Sequence, residues 1–223
     1  MANLFRNRAR LLIAATALVF TLSIPGARGA ERFLDAALAD VNGRFIAASD
    51  VAIARALSLF GEQPSTGPIL RSEVERLENA WLIDEEARQL RMGGTSQEVE
   101  TAWQEAATRA GGLPALEQWM RELALDPTAV RTLVRSDLRW RRYIDIRFRA
   151  LVFVTDEDID KALGPGTHSP EARQAAADRL RQDGADRDLA QWLGEARQRS
   201  TIRSAEIPAS GVPLPFGPPR ALY

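Results

Sequence analysis

The chain of 223 residues has no cysteine and a single histidine. Without cysteine there is no disulfide, no zinc–thiolate site, no iron–sulfur cluster and no lipid-modified N-terminal cysteine. His168 alone cannot build a multi-histidine metal centre, and a serine-protease triad would have to use it. It sits in Gly164-Pro165-Gly166-Thr167-His168, a turn-forming run in which an exposed loop histidine is the plain reading. Charge of one sign is also missing: 29 basic residues face 30 acidic ones. That balance argues against a basic nucleic-acid binder. The longest apolar run is Leu11 to Ile24, 14 residues, short of the roughly 20 that cross a bilayer.

That run belongs to an export signal. Arg6, Arg8 and Arg10 precede it, Pro25-Gly26 break it, and Ala27-Arg28-Gly29 offers small residues to a peptidase. Cleavage after Gly29 is expected, with an uncleaved anchor as the alternative. Removing residues 1–29 takes four arginines and no acid, leaving 25 basic against 30 acidic side chains. A mature chain in an oxidising compartment, without disulfides, must be held by its core alone.

The rest of the chain reads as helices around one hairpin. Leu34, Ala36, Leu38 and Val41 lead to Asn42-Gly43, and Phe45 and Ile46 follow. Asn-Gly is the strongest short signal for a type I′ turn. Ser49 is placed to cap a helix beginning at Asp50 and stopping at Gly61. Helices are expected from Ile69 to Leu90, from Thr95 or Ser96 to Gly111, from about Pro114 to Leu123, and from Asp126-Pro127 to about Arg147. Leu151 to Val154 is a short β-prone run. Thr155-Asp156-Glu157-Asp158 resembles a capping box. Ser169-Pro170 opens a further helix, weakened at Gly184, and Thr201 to Ile207 has strand character. Residues 208–223 hold five prolines and two glycines, and a disordered or extended tail is expected.

Few residues point to chemistry. Asp156, Asp158 and Asp160 alternate, but an EF-hand loop would need Gly and Glu where Lys161 and Thr167 stand; acids at a helix N-terminus explain them better. Arg131, Arg135, Arg139, Arg141, Arg142, Arg147 and Arg149 crowd one helix. They form either a solvated face paired with acids of neighbouring helices or a positive patch for acidic segments or anionic lipid. No catalytic constellation, metal-ligand cluster or cofactor motif stands out. Met120, Trp140 and Tyr143 border the expected apolar stripes instead of lying on them. An exposed apolar patch marks a partner surface, and these three are the candidate residues for one.

Four segments, in order, resemble the SurA-type periplasmic chaperone family. They are Val41-Asn42-Gly43 with Ile46 and Ser49-Asp50-Val51, then Leu82-Ile83-Asp84-Glu85-Glu86-Ala87, then Val154-Thr155-Asp156-Glu157-Asp158-Ile159, and finally Trp192 to Arg197 through Ile202. Glu85-Glu86 replace a usual apolar pair. The likeness spans about residues 34–207. It implies a mostly α fold, a SurA-N-like helical chaperone domain over residues 30–207 whose small β-hairpin is completed by a C-terminal strand. It further implies an ATP-independent periplasmic chaperone for unfolded or nascent envelope proteins, including outer-membrane proteins, with no cofactor, nucleic acid or small-molecule substrate. Membrane contact would come only through an uncleaved signal segment. Family members usually carry parvulin prolyl-isomerase modules between the third and fourth segments. Here Gly164 to Ser169 is too short for a small domain, and the paired histidines of a parvulin site are missing. The expectation is a non-enzyme. An adaptor for one fixed envelope partner and, less well supported, a prolyl isomerase are the alternatives.

Overall fold

The computed structural model describes residues 35–217 and residue 219; the expected signal segment, Leu34 and most of residues 218–223 lie outside them. Two strands, β1 (Ala37–Val41) and β2 (Arg44–Ala47), form the expected hairpin. Asn42 and Gly43 have φ of 52° and 85°, the two left-handed positions that a type I′ turn demands. A register shift between Ala37 and Ala39 lets both Leu38 and Ala39 face the interior.

Helix α1 (Ala48–Ala56) starts two residues before the expected position. The Asp50 carboxylate, not Ser49, accepts the Ala47 amide at 2.9 Å, and the Ser49 hydroxyl donates to Asp35. The helix also stops before Gly61. Ser58 and Phe60 adopt left-handed φ of 50° and 54°, a strained choice for side-chain-bearing residues. Long-range partners hold this turn: Asp137 accepts the Phe60 amide at 2.7 Å and Arg109 donates to the Leu57 carbonyl at 2.8 Å.

Helices α2 (Arg71–Gln89), α3 (Ser96–Arg109), α4 (Leu113–Glu122) and α5 (Pro127–Arg147) follow. The second begins later than expected because Ile69 is paired elsewhere, exchanging both backbone hydrogen bonds with Val212. The run Leu151–Val154 is not a strand: Arg149–Leu151 is a 3₁₀ turn and the rest is extended without a partner. Its side chains still alternate, with Val152 and Val154 packed inward and Phe153 95% exposed. Helix α6 (Asp156–Leu163) is capped by Thr155. Helix α7 (Pro170–Gln198) runs unbroken through Gly184. This glycine is buried, and a Cβ there would lie 2.7 Å from Val152 Cγ1, so its role is close packing and not a break.

Strand β3 (Ile202–Ser204) pairs antiparallel with β1, giving the order β2-β1-β3. The protein is thus mostly helical with a small three-stranded antiparallel sheet. Two hydrogen-bonded lone hairpin strands are marginal in water; here Asn42 also binds Thr201 through its backbone and side chain and donates to Glu85 on α2 at 2.8 Å. The main core gathers Val41, Ile46, Leu57, Phe60, Val74, Leu77, Trp81, Trp103, Leu116 and Val130. A second cluster joins Ile83, Tyr143, Phe148 and Ala185, and a third ties α6 to α7 through Ile159, Ala176 and Ala177.

Residues 208–217 correct the expectation of a disordered tail. A turn at Ala209–Ser210 and a bend at Pro215–Phe216 break the run, and Val212, Leu214 and Phe216 pack on the main core. The prolines between these residues do not prevent docking.

Candidate client-binding groove

An open cavity with an apolar floor lies between α3, α4 and the start of α5. Thr95 caps α3 by accepting the Glu98 amide at 3.2 Å, while Glu98 accepts the Thr95 amide at 2.7 Å. The apolar positions of α3 turn Trp103 inward. Gly111-Gly112 reverse the chain, and α4 then buries Leu116, Trp119 and Met120. Asp126 caps α5, accepting the Thr128 amide at 2.9 Å. These three helices enclose a cavity of about 570 Å³ lined by Trp103, Leu113, Met120 and Leu125.

Its rim is charged but internally neutralised. Arg131 pairs with Glu100 at 3.1 Å and Arg121 with Glu117 at 3.9 Å. Hydrogen bonds from Gln104 and Arg131 hold the Glu100 carboxyl below its ordinary value. The Arg131 guanidinium lies 4.3 Å from the Trp103 ring centroid, a cation–π contact. Among the described residues, the buried Trp103 indole N–H has no hydrogen-bond partner. Methionine adapts to irregular apolar ligands, and an apolar floor inside a polar rim suits apolar side chains.

The structure separates the three client-binding candidates. Met120 lines this groove although only 4% exposed. Tyr143 is 1% exposed, packed between Phe148 and Trp192; its assignment to a client surface is corrected, since the second core cluster encloses it. Trp140 is half-buried and bridges the two larger clusters, edge-on to Phe60, so it too serves the interior more than a surface. Helical periodicity puts Trp103 on one apolar face with Val99, Ala102 and Ala106 and gives no sign of its second role, with Leu113, Leu125 and Arg131, as groove lining. The available signal was two short helices with large apolar residues joined by Gly-Gly.

The remaining candidates resolve as structural. The arginines of α5 mostly pair with acids: Arg131 with Glu100, Arg139 with Asp84, Arg141 with Asp137 and Arg142 with Glu98; beyond it, Arg149 pairs with Asp145. Asp158 completes the capping box of α6 by accepting the Thr155 amide at 3.0 Å, and Asp156 and Asp160 both receive Arg173 of α7. His168 is half-buried, its Nε2 3.0 Å from the Gly164 carbonyl. Among the described residues, no group of three His, Cys, Asp or Glu side chains could hold a metal ion. No protein-family model matches the chain, and no curated protein matches it.

Proposed function

We propose that the protein is an exported, ATP-independent chaperone of the SurA type, reduced to its helical module, that binds unfolded envelope proteins in the periplasm without isomerase activity. The observation that carries this reading is the cavity of about 570 Å³ with its floor of Trp103, Leu113, Met120 and Leu125. The four resembling segments add to it. Binding of this kind needs no catalytic group and no cofactor. It needs apolar surface for many weak contacts, with a rim whose charges do not select one sequence. The test is suppression of aggregation when an unfolded outer-membrane protein is diluted from urea. Leu113→Asp places a charge in the groove at the first position of α4, where the helix dipole tolerates an acid. It should abolish suppression while helical content is kept. Full suppression by the variant, or none by the wild type, overturns the reading. Turnover of a proline peptide above background would overturn its non-enzymatic part, and N-terminal sequencing of the exported protein would test cleavage after Gly29.

A second reading, an adaptor for one fixed envelope partner, is favoured by the exposed pair Phe153 and Leu151 on the connector after α5. Large exposed apolar groups mark partner surfaces. Phe153→Asp should leave aggregation suppression intact if the chaperone reading holds, and should abolish capture of a single partner if the adaptor reading holds.

A further inference from the structure

The segment after β3 meets the body as a bound peptide meets a receptor. The Gly211 amide closes a turn on Pro208 at 2.8 Å. Gly211 has φ of 80°, and a Cβ there would lie 2.7 Å from the Ile69 carbonyl oxygen, so only glycine permits this approach. Val212 then donates to Ile69 at 2.9 Å and accepts from it at 2.7 Å. This is an isolated antiparallel bridge outside the named strands. Beyond it, Val212, Leu214 and Phe216 all point to the main core. Phe216 stacks edge-on against Trp119 at 5.6 Å, and the Trp119 indole donates to the Gly217 carbonyl at 3.0 Å.

From Val212 onward, each contact is one that another apolar chain could reproduce. The backbone bridge is blind to side chains, as in strand addition, and the alternate apolar positions fill the face below. Pro213 and Pro215 stand between the anchors, where they stiffen the chain and lower the entropy lost on docking. The receptor surface comes wholly from other elements: Pro68-Ile69 before α2, and Trp119 on α4. Helix α4 therefore presents Trp119 to this segment and Met120 to the open cavity.

We propose that residues 209–217 are an in-chain ligand filling a second peptide groove. When vacated, that groove takes extended segments of unfolded proteins with apolar side chains at positions i, i+2 and i+4. The inference rests on the client-binding reading and gives it a chemical class of client. It also supplies regulation: a tethered segment competes at an effective concentration of order millimolar, so weak ligands are turned away and only apolar-rich chains displace it.

The test uses the full chain carrying Val212→Asp and Phe216→Asp, which expels the segment. The probe is a fluorescent peptide of the sequence of residues 208–217, read by anisotropy. The substituted chain should bind the peptide at least tenfold more tightly than the wild-type chain does. A peptide with the same two substitutions should not bind. A folded variant that fails to bind the peptide, or that binds it no better than wild type, overturns the proposal. Should the variant not fold, hydrogen exchange on the wild type decides. The Ile69 and Val212 amides should exchange by local opening, faster than the Ala39 and Ile46 amides of the sheet; exchange only with global unfolding makes the segment part of the fold and overturns the proposal. The broader reading is scored apart, by aggregation suppression. Suppression by the wild type with no peptide binding by the variant removes this groove alone, whereas peptide binding with no suppression by either chain removes the chaperone reading alone.

Discussion

Arg197 on α7 donates to the fully buried carboxylate of Glu78 on α2 at 2.7 Å, across 119 positions of sequence. Its other guanidinium nitrogen reaches Asn79 at 2.8 Å. Glu78 also accepts from the Ser204 hydroxyl of β3 at 2.5 Å. One buried acid thus ties the first long helix to the last helix and the last strand.

Removing Arg197 leaves that acid under-compensated. Breaking a buried pair from one side costs about 3–5 kcal/mol. Arg197→Ala should sit near the lower end because Ser204 and the more distant Arg71, at 3.5 Å, remain. Denaturant unfolding measures the loss. Adding Glu78→Gln should recover part of it, since the stranded charge is gone.

Tyr143 and Trp140 should respond to truncation as core residues. Tyr143→Ala empties a site 1% exposed, and losses of buried aromatic side chains typically reach about 3–5 kcal/mol. Trp140→Ala should cost less, because the residue is half-buried. Thermal melting ranks the two. A Tyr143→Ala chain that melts with the wild type but no longer suppresses aggregation would return the residue to a client surface.

Gly184 is a packing residue inside a helix, and two effects oppose each other there. Alanine gains about 1 kcal/mol of helix propensity. Its Cβ, however, would press on Val152 Cγ1 at 2.7 Å and Cγ2 at 3.3 Å, and overpacking costs about 1–3 kcal/mol. Gly184→Ala should therefore destabilise modestly. Val152→Ala removes both offending methyls, so the double variant should be more stable than Gly184→Ala alone. Additive losses would show that the two residues do not meet.

Asp137 links stability to pH with an unusual sign. Burial pushes its carboxyl above the ordinary value of 3.8, although Arg141, the Phe60 amide and Arg109 pull the other way. The folded chain therefore takes up this proton more readily than the unfolded one. Stability contributed here rises as pH falls through the raised value, and levels off below 3.8. Asp50 and Glu62 are raised by burial as well, but they titrate in both proteins when wild type is compared with Asp137→Asn. The melting temperature of wild type should gain on that of the Asn variant as pH falls from about 7 towards 4. A gap that shrinks over this window contradicts the assignment.

Local chemistry was legible wherever a residue satisfied its own neighbours. Asn42-Gly43 required a type I′ turn, Thr95 and Thr155 announced capped helices, and Asp126-Pro127 opened α5 where it does. Closure of the hairpin by a late strand was also readable, because Thr201 to Ile207 was the sole late segment with strand character. The boundaries that moved are those set by distant partners. Ile69 leaves α2 because Val212 takes its hydrogen bonds, and α1 ends early because Asp137 and Arg109 hold Leu57 and Phe60 in place.

The sites divide along the same line. Periodicity marks which residues face inward on each helix, so Trp103 falls on an apolar face and Met120 at the border of one. It carries no information on whether two such faces meet tightly, as around Tyr143, or splay apart, as around Trp103 and Met120. A groove exists only where packing between helices is incomplete, and that is a property of interaxial geometry. The proline-rich end shows the converse. Its proline and glycine content predicts a disordered or extended tail, yet Val212, Leu214 and Phe216 dock through their side chains and one backbone bridge. By itself, the sequence determined most of the elements, the caps at Thr95, Asp126 and Thr155, and the charge balance. Tertiary structure decided which apolar residues are enclosed and which line a groove, because burial depends on partners far along the chain.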